Sequence, residues 1–333
     1  MKNRESGKIE RIAIILPNKL GDAILSLPLI LCLRSLTAAF GPPGSVLEVV
    51  TYSPLMEVFA AVGVTDVTQM TLTARLKSWL DPPDKAFFLV ATSKNFGFHA
   101  RRTYGRYQRN KRLVRYDSDL PCLTEDLLPA ELDEYLTVEC RLSRYAVRQF
   151  GIVLELGYTA AQVLSTFTFT RHSLPVDRHL WASAQNVATP YLICCLEAAG
   201  GKGRRNDQRR WNTGHYFAVA SQIREQYDYR IAFIGVAVAP PIHQQEGFLD
   251  LRGTMNLWQL FQFMAGAAGY FGNDTGPMHL ANLVGIPSVG IYPAGANDHG
   301  PLFAELNSVV MRPTSPEDVY PAVQRMILAD GAA

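Results

Sequence analysis

The sequence predicts an α/β protein of two domains, each a parallel sheet with crossover helices, facing a central cleft. Three observations carry this. The 333 residues exceed a comfortable single core. Short apolar, β-branched runs alternate with stretches of helical periodicity. That rhythm fails near 171–190 and then restarts. Strands recurring with helices between them need crossover connections, and crossovers give parallel pairing.

In chain order, "RIAIIL" (11–16) is a strand ending at Pro17, and "GDAILSLPLILCLRSL" carries apolar positions at helical spacing. "SVLEVVT" (45–51) and "KAFFLVAT" (85–92) are further strands, and one long helix is expected over 130–149. The domain boundaries are set at 1–175, a linker 176–190, and 191–333. The second half opens on the strand "YLICCLE" (191–197), followed by a Gly/Arg-rich loop and a helix over 215–227. "RIAFIGV" is a strand, "LWQLFQFMAGA" a helix, "YFGN" a strand end, "PMHLANLVG" a helix and "PSVGIY" a strand. The tail from Ser315 is a helix with Pro316 and Glu317 in its first turn, expected to pack back toward the first domain.

Composition is that of an ordinary globular chain, 48% hydrophobic and 19% charged, and a net charge of +2 singles out no partner. Cysteines 32, 122, 140, 194 and 195 show neither disulfide nor metal spacing, and Cys194 and Cys195 read as buried small hydrophobes. The basic then apolar N-terminus is interrupted by Pro17, Lys19 and Asp22, unlike a signal peptide. The charge-free 253–273 region has too many Gly, Asn and Gln for a membrane span. A cytoplasmic chain is expected.

Four stretches carry chemistry. In "YFGNDTGPMHLANLVGIPSVGIY" (270–292), Asp274 is the one carboxylate in apolar text. If a strand ends at Asn273 and Pro277 opens a helix, the turn presents free amides and the positive helix end to an anion. Thr275 adds a hydroxyl and Gly276 permits close approach; plain helix capping is the alternative. His279 reads as a helix residue behind that loop, without the partners of a metal ligand. In "LPNKLGDAILSLP" (16–28), Asp22 at a helix start is either a general base or a dipole-complementing residue. "EAAGGKGRRNDQRRWN" (197–212) offers arginines to a diphosphate but is neither a Walker loop nor a G-x-G-x-x-G turn, which disfavours a dinucleotide dehydrogenase. "HARRTYGRYQRNKRLVRY" (99–116) is a basic patch suited to a phosphorylated or polyanionic partner, or else a solvated loop face. "DSD" (117–119) has the shape of a metal–nucleotide site but no supporting context.

"LGDAILSLP" and "GNDTGPMHLANLVGIPSVGIY", far apart in the chain, together resemble the family 9 glycosyltransferases, bacterial heptosyltransferases of lipopolysaccharide core assembly. The resemblance implies a GT-B architecture of two Rossmann-like domains, with the acceptor on the first and the sugar nucleotide, ADP-heptose, on the second. It implies Asp22 as catalytic base in an inverting transfer that uses neither metal nor other cofactor. It places Asp274 near the transferred sugar, Thr275 and Gly276 at the diphosphate with Pro277 and His279 behind them, Arg209 in the place of a lysine, and Met255 beside the adenine. Lys19, Arg101, Arg102, Arg106, Arg109 and Lys111 are then acceptor residues for an anionic glycolipid or glycan at the inner face of the inner membrane, with no nucleic acid involved. The chain departs from the pattern at Leu16, where a basic residue is usual, in the longer Gly/Arg loop, and at the ribose contact, for which Glu246 is the candidate. Those departures leave open another nucleotide sugar, a protein acceptor, a sugar-nucleotide epimerase and a non-catalytic nucleotide-binding homologue.

Overall fold

The structure, a computed structural model, describes residues 10–17, 19–51, 55–69, 83–89, 113–116, 128–174, 190–197, 210–236, 242, 246–295 and 300–330. The chain divides into two compact units, Met1–Pro175 and Val176–Ala333.

Unit one holds strands β1 (Arg11–Ile15), β2 (Val46–Thr51), β3 (Val67–Gln69), β4 (Lys85–Phe88) and β5 (Leu113–Tyr116). They pair in the order β3-β2-β1-β4-β5, all parallel. Ile12, Ile14 and Ile15 are buried in succession, as a strand covered on both faces requires. β5 corrects part of the sequence reading, since the end of the basic segment is a strand paired in register with β4 rather than a loop.

The helix expected after β1 is two helices, α1 (Leu20–Ile24) and α2 (Leu27–Phe40). Pro28 lies in the first turn of α2, where its missing amide is harmless; further into a continuous helix it would break the ladder. Leu20–Phe40 is long and apolar enough to cross a membrane, and most of it is buried within the protein. The helix expected over 130–149 is also broken. After α3 (Met56–Ala61) come α4 (Ala130–Glu134), a π-helical turn at Tyr135–Glu139, and α5 (Arg144–Gln149). Between them Arg141 takes a φ of 52°, and Ser143 restarts the helix by accepting a hydrogen bond from the amide of Ala146 at 3.4 Å. α6 (Gly151–Glu155) and α7 (Ala160–Thr166) follow, the latter opened by a capping box between Thr159 and Gln162. α2 packs against β2, α5 and α7.

Unit two runs β6 (Tyr191–Cys195), α8 (Thr213–Gln226), β7 (Arg230–Ile234), β8 (Phe248–Asp250), α9 (Leu257–Ala265), β9 (Gly269–Asn273), α10 (Gly276–Val284), β10 (Ser288–Tyr292), β11 (Asn307–Met311) and α11 (Pro316–Asp330). The strand order is β11-β10-β9-β6-β7-β8, again all parallel. Every residue of β6, β9 and β10 is buried. α11 packs within this unit on α8, β9, β10 and β11. β6 and β9 approach closely at Gly272, where an added Cβ would stand 2.7 Å from the carbonyl oxygen of Cys195 and from the hydroxyl of Tyr270.

Candidate functional site

In both units the strand order reverses beside the first strand. Unit one grows from β1 through β2 to β3, then crosses back to β4; unit two grows from β6 through β7 to β8, then crosses back to β9. At such a point the loops leaving the two central strands turn opposite ways, and a crevice opens beyond their carboxyl ends. Each of the two aspartates singled out in the sequence follows one of these strands.

Asp22 lies in the first turn of α1, directly after β1, and is half-buried. Its carbonyl oxygen accepts from the hydroxyl of Ser26 at 2.9 Å, bridging the break before α2. Lys19, the residue before α1, is exposed. Asp274 follows β9. It is 7% exposed, and its amide donates to the carbonyl of Ile291 at 3.2 Å, tying the turn to β10. One helical turn on, Nε2 of buried His279 lies 3.6 Å from Asp274 Oδ1. The Nδ1 of His279 is buried and takes no hydrogen bond among the described residues.

Thr275 precedes α10 without capping it through its side chain, so capping by that residue is not realised. Its hydroxyl turns inward, donating to the carbonyl of Asn273 at 3.3 Å and lying 3.9 Å from Cys195 Sγ. A phosphate contact from that hydroxyl requires rotation about χ1. The amides of Met278 and His279 both reach the carbonyl of Thr275, and Pro277 has none. The Gly276 amide is thereby left without an intrahelical acceptor at the positive end of the helix.

A buried polar network fixes this turn. Asn273, fully buried, accepts from the Tyr216 hydroxyl at 2.7 Å through Oδ1 and donates from Nδ2 to the carbonyl of Leu196 at 3.0 Å. Burial pushes the Tyr216 phenol well up from its ordinary value, with Cys194 and Cys195 adding to the effect, so it remains a donor. Trp211 meets the Tyr216 ring edge-on at 5.0 Å and donates from Nε1 to the carbonyl of Pro313 at 3.1 Å.

On the other side of β6 lies a cluster that sequence reasoning missed. Arg252, just after β8, grips Asp250 through two bonds of 2.8 Å, and its Nη1 lies 3.8 Å from Oε1 of buried Glu197. These guanidinium bonds hold the Asp250 carboxyl below its ordinary value. Glu197 follows β6 directly, and its position just past an apolar run was the signal available. Met255 is half-buried in the loop from β8 to α9, on the same carboxyl edge. Glu246 is not on that edge. It precedes β8 and is exposed at the amino edge of the sheet, which removes it as a ribose contact. Arg209, Arg101, Arg102, Arg106, Arg109 and Lys111 lie outside the described residues, as do Cys122 and "DSD" (117–119). Cys194 and Cys195 are buried as expected, and burial pushes both thiols up. Among the described residues no group of histidines, cysteines and carboxylates could hold a metal ion.

Residues 149–323, more than half of the chain, match glycosyltransferase family 9 (heptosyltransferase). The chain belongs to glycosyltransferase family 9. It is therefore a glycosyltransferase, and its fold is found in solved members of the family. The E. coli ADP-heptose lipopolysaccharide heptosyltransferase II is similar with a TM-score of 0.65 at 19% identity, over 96% of this chain and 99% of its own. A family 9 glycosyltransferase from Veillonella parvula gives 0.63 at 17% identity, over 98% and 100%. E. coli heptosyltransferase WaaC with ADP gives 0.55 at 14% identity, over 97% and 98%. These likenesses show the fold, GT-B with two Rossmann-like domains. No curated protein matches this family 9 chain.

Proposed function

We propose that this glycosyltransferase moves a heptose, with inversion, from ADP-heptose to a hydroxyl of an anionic saccharide acceptor such as lipopolysaccharide inner core. The observation that supports the donor half is the Asp274–Gly276 turn. A buried carboxylate is followed by a helix start whose Gly276 amide has no intrahelical acceptor, at the point where strand order reverses. E. coli heptosyltransferase WaaC has been solved with ADP and with ADP-2-deoxy-2-fluoro heptose, which supports an ADP-sugar donor.

In the proposed step the acceptor oxygen bonds to the anomeric carbon while the bond from that carbon to the phosphate oxygen breaks. The electron pair leaves on the nucleoside diphosphate, and the acceptor proton passes to Asp22. Preorganised donors offset the charge that develops on the leaving group. The Gly276 amide and the Arg209 guanidinium are assigned this role, with no metal, while Met255 lies against the adenine and Asp274 orients the sugar beside His279. Thr275 and Pro277 shape the turn. Lys19, Arg101, Arg102, Arg106, Arg109 and Lys111 hold the anionic acceptor at the cytoplasmic face of the inner membrane.

The test is calorimetry of ADP, UDP, GDP, CDP and NAD with purified protein in EDTA, followed by turnover of ADP-heptose on a lipopolysaccharide core acceptor. Preference for ADP and turnover in EDTA are expected. Preference for UDP or GDP moves the donor to another sugar nucleotide, and turnover that appears only with added Mg²⁺ overturns the metal-free step.

A further inference from the structure

The Asp274–Gly276 turn is held by groups that no ligand need touch. Asn273 contributes all its polar sides to this. Oδ1 accepts from Tyr216 on α8, and Nδ2 donates to Leu196 at the end of β6. Its own carbonyl accepts from the Tyr270 hydroxyl at 3.2 Å and from Thr275 Oγ1. Of the two residues its side chain joins, Leu196 lies just past β6 and Tyr216 on α8, and Leu196 is 77 positions from Asn273 in sequence. Tyr216 is itself wedged against Trp211, which is anchored to Pro313 just before α11.

Strand pairing alone fixes Gly272 against Cys195 and Asn273 against Ile291. Beyond Asn273 a single ladder bond remains, from the Asp274 amide to the carbonyl of Ile291, and the direction in which the chain leaves the sheet depends also on what grips the side chain of the last strand residue. A fully buried amide with its oxygen and nitrogen both engaged admits one orientation, because any other leaves unpaired polar atoms in a dry environment. We propose that Asn273, clamped by Tyr216, is the positioning residue of the sugar-nucleotide turn: it fixes the exit of β9 so that Asp274 and the Gly276 amide stand at the β6/β9 crevice. This rests on the donor reading given above. Neither residue contacts the nucleotide; their effect passes through the turn.

Tyr216→Phe removes the hydroxyl and keeps the ring against Trp211, so it is the first variant, with Asn273→Ala the second. Val323→Ala, in the same core on α11 but with no part in the hydrogen bonds that hold Asn273, is the control for lost packing. ADP affinity is measured by calorimetry at least about 15 degrees below each variant's melting temperature, an interval of roughly four to eight times the shift expected per kcal/mol for a domain of this size. Tyr216→Phe is expected to weaken ADP binding about tenfold, about 1.4 kcal/mol, with Val323→Ala binding as the wild type does despite an equal or larger drop in melting temperature. Wild-type affinity in Tyr216→Phe and in any folded Asn273→Ala protein overturns the proposal while leaving the donor site intact. Equal weakening in Val323→Ala also overturns it, because the effect is then general loosening. Failure of the wild type to bind any nucleoside diphosphate removes the donor reading, and this inference with it.

Discussion

Nε2 of His279 stands 3.6 Å from Oδ1 of Asp274, and the two side chains are only 5% and 8% exposed. The pair spans the start of α10, so the histidine limits the rotamers of the carboxylate that precedes the helix. A double-mutant cycle with Asp274→Asn and His279→Ala is expected to show coupling. The combined loss in kcat/KM should fall short of the sum of the single losses by about 1 kcal/mol or more, as for groups in direct contact. Strict additivity would mean that the two act separately.

Asp22 sits where unit one reverses its strand order, and it is the proposed base. Asp22→Asn keeps the size and shape but cannot take the proton, so kcat should fall about 10²-fold or more. ADP affinity should be unchanged, because the proposed nucleotide turn lies in unit two. An Asp22→Asn enzyme with full turnover removes Asp22 from the role.

Arg252 satisfies Asp250 directly and lies beside Glu197. Arg252→Met retains most of the volume but removes the partner of exposed Asp250 and the cation beside buried Glu197, so unfolding free energy should drop by about 1–3 kcal/mol, the scale for losing hydrogen bonds to a charged group. The pH dependence has a defined sign. The Asp250 carboxyl, held below its ordinary 3.8 by Arg252, stabilises the fold above that value and gives this up as pH falls through its folded value. The wild-type melting temperature should therefore fall more steeply below pH 3.8 than that of Asp250→Asn. Parallel curves would show that the pair contributes nothing to folding.

Gly285 ends α10 with a φ of 87°, its amide donating to the carbonyls of Ala281 and Asn282. Gly285→Ala forces a Cβ into the left-handed region at about 1–2 kcal/mol. Urea unfolding should show a lower midpoint with an unchanged slope. A midpoint equal to the wild type's would mean that the helix end relaxes at no cost.

Cys32, Cys194 and Cys195 are buried with thiols pushed up by desolvation, and the thiolate is the reactive form. Alkylation of the native protein, mapped by mass spectrometry, should leave all three unmodified until urea is added. Fast native labelling at Cys195 would contradict its packing against Thr275.

How much of this was legible depended on what each residue declares locally. β6, β9 and β10 could be read because every position is buried and all but Asn273 and Ser288 are glycine or hydrophobic residues. β8 has three residues of which only Phe248 is buried, and β11 has none, so neither shows a pattern that distinguishes strand from loop. Missing β8 had a direct consequence. Without that strand there is no way to assign Glu246 to the amino edge of the sheet or Arg252 to the carboxyl edge. Asp274 stood out as a lone charge in apolar text. Glu197 and Arg252 did not, because only the β6–β7–β8 pairing brings them together. Pro28 offers a signal for the break before α2 that the helical reading of 21–36 passes over, whereas the left-handed Arg141 that divides the next helix has no such residue signal.

The crossing that places β9 beside β6 also governs when the nucleotide turn can come into being. Leu196 and Asn273 meet only after the β7 and β8 hairpin-free excursion between them has been traversed and closed, at an entropic penalty that grows with the loop. Pairings of such high sequence separation form late and slowly. During synthesis, unit one and the strands β6 to β8 emerge first, and on the proposed donor reading nucleotide can engage only once β9 has docked. Ligand added during refolding should therefore leave the early phases untouched and act on the last one.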